Sequence, residues 1–129
     1  MELEKNKANA VAVMETIARS GTVDCTAFTG DATWWTPVTG ALPIGIHAER
    51  FGKLSAGRFA GPGRFAIDGV MGEGDTVVIE ARGFQPLKDG RSYDNTYIWV
   101  VRFRDGRICS VRAYFDTALA QRTMQATEK

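Results

Sequence analysis

The sequence predicts an α+β domain, with helices in front and an antiparallel sheet behind, and three observations carry that prediction. Apolar residues recur at helical spacing through the first twenty positions. The second half holds four long β-rich runs separated by turn signals. The pair Asp105-Gly106 joins the last two of those runs, and such a turn needs positive φ. Helices that precede strands, instead of alternating with them, point away from a parallel α/β sheet.

The elements follow in order. Residues 4–20 place Val11, Met14, Ile17 and Ala18 on one helical stripe, and Ser20-Gly21 ends it. Thr22 or Asp24 caps a short second helix reaching Phe28. Residues 32–36, Ala-Thr-Trp-Trp-Thr, are rich in β-formers and stop at Pro37, the pattern of a short edge strand. Two prolines and two glycines make residues 37–45 a loop. A third helix is expected over about 46–56, with Ala48, Phe51 and Leu54 inward, until Gly57, Gly61, Pro62 and Gly63 break it. The runs Arg64–Met71, Thr76–Pro86, Ser92–Arg104 and Arg107–Phe115 then form a four-stranded meander, with 32–36 a candidate fifth strand.

Within the third long run, Tyr93, Tyr97, Trp99, Val101 and Phe103 alternate with Asp94, Thr96, Arg102 and Arg104. One face is bulky and apolar and the other mixed. Ile98 and Val100 interrupt the polar face, which a partner subunit would cover.

At 129 residues the chain is one domain, with an ordered core over about 4–118 and a C-terminal tail over about 119–129. A formal net charge of +1 gives no field to gather nucleic acid or an anionic membrane. No apolar run approaches the roughly 20 residues that span a bilayer. The start, Met-Glu-Leu-Glu-Lys-Asn-Lys, lacks an apolar leader, so a cytoplasmic address is expected, with Cys25 and Cys109 as two buried, reduced thiols.

Several fragments stand in a telling order. Asp31-Ala-Thr-Trp-Trp precedes Pro37, followed by Leu42-Pro43-Ile44-Gly45, Glu-Gly-Asp at 73–75 and Val-Val-Ile-Glu at 77–80. Then come Asp-Gly-Arg-Ser-Tyr-Asp-Asn-Thr-Tyr at 89–97, Asp-Gly-Arg-Ile at 105–108 and Arg-Ala-Tyr-Phe-Asp-Thr at 112–117. In this the chain resembles the SnoaL-like, ketosteroid isomerase-related branch of the nuclear transport factor 2-like superfamily, from the first helix to Thr117. The resemblance implies a cone of about three N-terminal helices on a strongly curved antiparallel sheet, enclosing a pocket. It also implies a homodimer formed sheet to sheet and a lipophilic, cyclic or polyketide-like small molecule as ligand.

The superfamily spans isomerases, cyclases, hydrolases and non-catalytic modules, so fold does not decide chemistry. The ketosteroid isomerase positions are matched here by Thr36, Met14 and Trp99, none of which can do that enzyme's work. The limonene epoxide hydrolase Arg and first Asp fall on Ala81 and Gly83, and scytalone dehydratase's histidine pair has only His47 to answer it. Asp116 matches the polyketide cyclase aspartate.

Asp116 is therefore the first catalytic candidate, since a carboxylate in an apolar wall has its pKa raised towards neutrality; the competing expectation is a capping or ion-paired role. His47, the sole imidazole, is the second candidate, against a plain surface histidine. Tyr93, Asn95 and Tyr97 share a strand face that Trp34 or Trp35 can oppose; with Trp99 and Tyr114 they make the expected ligand-binding set, or an ordinary core. Charge pairs across neighbouring strands account for Glu80, Arg82 and Arg112. No Cys/His spacing suggests a metal, and no phosphate-binding motif or cofactor signature is present.

Overall fold

The computed structural model describes residues 2–126. Helix α1 (Glu2–Ser20) buries Asn6, Ala10, Met14 and Ile17, a single stripe at steps of four, four and three. It ends as expected: Gly21 turns left-handed at φ 70°, and its N–H donates to the Ile17 carbonyl at 2.9 Å. The expected second helix is one 3₁₀ turn, Cys25–Ala27, with the Asp24 carboxylate accepting from the Thr26 N–H.

Strands β1 (Phe28–Thr36) and β2 (Gly40–Pro43) follow, then α2 (Ile44–Arg58) and the long strands β3 (Arg64–Glu73), β4 (Thr76–Pro86), β5 (Ser92–Arg104) and β6 (Arg107–Phe115). The chain closes with α3 (Thr117–Ala126). All strands join one sheet in the order β2-β1-β6-β5-β4-β3. The three hairpins of the meander are in place, and Asp105 and Gly106 both have positive φ in the last of them.

Five expectations need correction. The sheet is mixed and six-stranded: β1 runs parallel to β6, against four antiparallel pairings elsewhere. Segment 32–36 is the C-terminal part of a longer strand that is not an edge; Gly30 and Asp31, poor strand formers, mask its start, where the register with β6 shifts. The expected loop 37–45 contains β2, which takes the edge instead. The expected tail begins as helix α3, while residues 127–129 lie outside the described residues. The thiols also differ from expectation: both are free, but Cys25 is exposed and Cys109 half-buried.

The inner face of the sheet, with Ile79, Trp99, Val101, Val111 and Ala113, packs on Met14 and Ile17 of α1 and on Ile44 of α2. On the outer face a row crosses five strands in register: Trp35, Arg112, Val100, Val78 and Met71. Met71, Ile98 and Tyr114 are large apolar side chains left exposed on that face. Among the described residues no helix is long and apolar enough to cross a membrane.

Candidate functional site

The inner face does not pack solid. Between the helices and the sheet lies a cavity of about 250 Å³, walled by Met14 and Ile17 of α1, Trp34 and Thr36 of β1, and His47 and Phe51 of α2. Phe65, Tyr93, Tyr97, Trp99 and Phe115 complete the sheet side, and Ala120 and Met124 of α3 close another wall. Three inward strand positions hold aromatic rings in edge contact, Phe65 against Tyr97 at 5.5 Å and against Trp99 at 4.7 Å. That arrangement needs Gly83: a Cβ there would lie 2.8 Å from both the Phe65 and Tyr97 rings.

His47 sits in the first turn of α2, and its imidazole stacks on Trp34 at 4.3 Å, nearly parallel. Burial lowers its pKa from the ordinary 6.5 to about 4, so the ring is neutral at physiological pH. A neutral imidazole offers one donor and one acceptor, and no described residue hydrogen-bonds to either nitrogen. The Tyr97 hydroxyl is likewise kept protonated, its pKa pushed up by burial and by the neighbouring Tyr93 hydroxyl. Tyr93 in turn accepts from Asn95 Nδ2 at 2.6 Å. The cavity therefore presents phenol hydroxyls from β5 and an imidazole from α2 within otherwise apolar walls.

The sequence-predicted set divides on the structure. Trp34, Tyr93, Tyr97, Trp99 and His47 line the cavity together. Trp35 and Tyr114 do not: they lie on the outer face, where the Arg112 guanidinium sits 3.8 Å over the Trp35 ring and donates to the Tyr114 hydroxyl. Strand alternation puts Trp35 on the face opposite Trp34. Asn95 points inward but lies outside the lining, clamping the start of α3. Its Nδ2 donates to the Asp116 carbonyl, and its Oδ1 accepts from the Asp116 N–H.

Asp116 is outside the cavity as well. It is exposed, and its carboxylate accepts the Leu119 N–H at 3.0 Å as the N-cap of α3. The desolvation expected of an acid-base carboxylate is absent at that position. The capping role, one of the two expectations for this residue, is the one its contacts describe. What sequence reasoning missed is α3 itself; an Asp N-cap before Thr-Ala-Leu-Ala-Gln-Arg was the available signal. Thr36 and Met14, which the sequence did not mark as ligand contacts, are wall residues. Among the described residues no cluster of three or more His, Cys, Asp or Glu side chains could hold a metal.

The family model for the SnoaL-like domain matches residues 14–111, three-quarters of the chain. The chain belongs to the SnoaL-like domain family. Solved structures agree with this SnoaL-like assignment at the level of fold. A nuclear transport factor 2-like protein of Anabaena variabilis is 24% identical with a TM-score of 0.77, the match covering 89% of each chain. PrhC of Penicillium brasilianum has a TM-score of 0.82 at 17% identity, over 99% of this chain and 92% of its own. A protein with the ketosteroid isomerase-like fold from Catenulispora acidiphila, in complex with trimethylamine, has a TM-score of 0.67 at 19% identity, over 81% and 82%. A search among curated proteins finds no match.

Proposed function

We propose that this SnoaL-like domain binds a compact lipophilic ring compound, cyclic or polyketide-like, in the inner cavity. The observation that carries the reading is the wall itself: aromatic on most sides, with unprotonated His47 and the Tyr93–Tyr97 hydroxyls as polar contacts. Size narrows the class. A cavity of roughly 150 Å³ holds benzene, so about 250 Å³ suits one or two fused rings better than a tetracycle. The small-molecule complex of the Catenulispora acidiphila neighbour is in keeping with that use of the fold.

A second reading, cofactor-independent proton transfer of the isomerase, cyclase or hydrolase kind, is favoured by one observation: the sole imidazole of the chain faces the cavity. Burial that lowers its pKa to about 4 makes His47 a weak base at neutral pH. Hydrogen bonding to a ligand is the role it fills best, and binding without turnover leads.

We propose further that two copies pack through their outer sheet faces, which would cover Ile98, Tyr114 and Met71. The ligand reading is tested by titrating naphthalene derivatives against tryptophan fluorescence, since Trp34 and Trp99 both line the cavity. Saturable quenching that weakens in Tyr97→Ala is expected. Quenching that never saturates, or that ignores the substitution, would overturn the reading.

A further inference from the structure

Gln85 is a polar side chain on the apolar side of the sheet. Along β4 it alternates inward with Ala81 and Gly83, it stands directly opposite Tyr93 of β5, and it lines the cavity. It is 8% exposed. Its Nε2 donates to two backbone carbonyls, those of Gly61 and Pro86, both at 2.9 Å. A carbonyl can only accept, so these two bonds decide which end of the carboxamide is nitrogen and hold it there.

The oxygen at the other end has no such partner. Among the described residues nothing donates to Gln85 Oε1. Nor is it sealed off: among those residues the fully buried side-chain oxygen without a partner is Asn6 Oδ1, in α1. Gly63, another lining residue, makes room for the Gln85 oxygen, since a Cβ there would collide with it. A buried acceptor with space beside it lacks the donor that such an oxygen needs.

Gln85 differs in this from the other polar groups of the cavity. A tyrosine hydroxyl can turn to donate or to accept, and neutral His47 does either through its two nitrogens. Those groups serve an alcohol and a ketone alike. Gln85 cannot turn, because reversing the amide would set its oxygen against the Gly61 and Pro86 carbonyls. We propose that Gln85 selects the ligand by its polar group, taking a ring alcohol whose hydroxyl donates to Oε1. A ketone in the same place would set two acceptors face to face and leave both without a proton. The inference rests on the binding role proposed above and adds which polar group the ligand carries.

The test compares 2-tetralol with 2-tetralone by calorimetry at neutral pH. The two share a bicyclic frame of the proposed size and differ in the donor. In the parent chain the better-bound enantiomer of the alcohol should bind about tenfold more tightly than the ketone, the worth of one hydrogen bond. Gln85→Met keeps the length of the side chain, removes the oxygen and should bring the ratio close to one. Gly63→Ala should shrink the ratio too, because the added methyl displaces the carboxamide oxygen with Gln85 still present. Tyr97→Phe should retain the ratio, whatever it does to the two affinities. Equal affinities in the parent would overturn the inference and leave the cavity reading standing. So would a ratio that survives Gln85→Met in a folded protein, which would pass the alcohol's proton to a tyrosine or to His47. If neither compound binds saturably, the cavity reading falls and this inference with it. Should Gln85→Met fail to fold, Gly63→Ala decides, and a ratio equal to the parent's would overturn the inference.

Discussion

Burial of His47 makes a quantitative demand on stability as a function of pH. In the unfolded chain the imidazole titrates near 6.5; in the folded chain burial lowers it to about 4. The folded state thus binds the proton less readily than the unfolded state, and the sign follows. The stability is fully present above pH 6.5 and is lost as pH falls from there through 4. Linkage with these two values gives a loss of about 2 kcal/mol at pH 5 and about 3 kcal/mol at pH 4. The window is clean. Asp24, Asp31, Asp68 and Asp89 have pKa values lowered from 3.8, so what they contribute is lost below that value. His47→Phe keeps an aromatic ring against Trp34 and removes the titration. Urea unfolding followed by tryptophan fluorescence, at several values between pH 7 and pH 4, measures the slope. The parent should lose stability steeply through that range and the variant should stay nearly flat. A variant with the parent's slope would show that the imidazole is not desolvated in the folded protein, and the neutral ring assigned to the cavity would go with it.

Other outcomes follow from single contacts. Asp116→Ala should cost about 1 kcal/mol through loss of the α3 cap and leave naphthalene affinity unchanged, with Asp116→Asn close to the parent; a ligand-binding defect at full stability would return Asp116 to the site. Gly83→Ala should destabilise by about 1–3 kcal/mol, because the added methyl must displace the Phe65 and Tyr97 rings, and a melting curve matching the parent would refute that packing. Ile98→Asp should convert a dimer to a monomer in sedimentation, whereas a parent chain already monomeric at micromolar concentration would remove the outer-face interface from consideration.

The meander was legible because period-two alternation and glycine turns are local signals. Three of the four long strands have the expected ends, and β3 runs on to Glu73. The parallel pairing of β1 with β6 was not legible, since nothing near residue 30 encodes a partner near residue 110. In the site, alternation put Tyr93, Tyr97 and Trp99 on the right face, but it could not choose between Trp34 and Trp35 without the register. Asp116 shows the other limit. An acid after an apolar strand and before a helix has the same sequence appearance whether it caps or catalyses, and only its exposure separates the two.

The parallel β1–β6 ladder also governs the order of events when the chain is made. Phe28 faces Ile108, about 80 residues later, and the length-dependent part of closing such a loop costs about 4 kcal/mol. The hairpins from β3 to β6 can form as they leave the ribosome, yet β1, flanked on its other side only by the short edge strand β2, must wait for the last strand. Until β6 emerges, Trp34 and the helices that pack on the sheet have no completed surface to settle on. Synthesis halted anywhere before residue 107 would leave an apolar N-terminal segment without its partner strand, a species open to capture by chaperones or to aggregation. The strand that shapes the cavity wall is thus among the first made and the last to be secured.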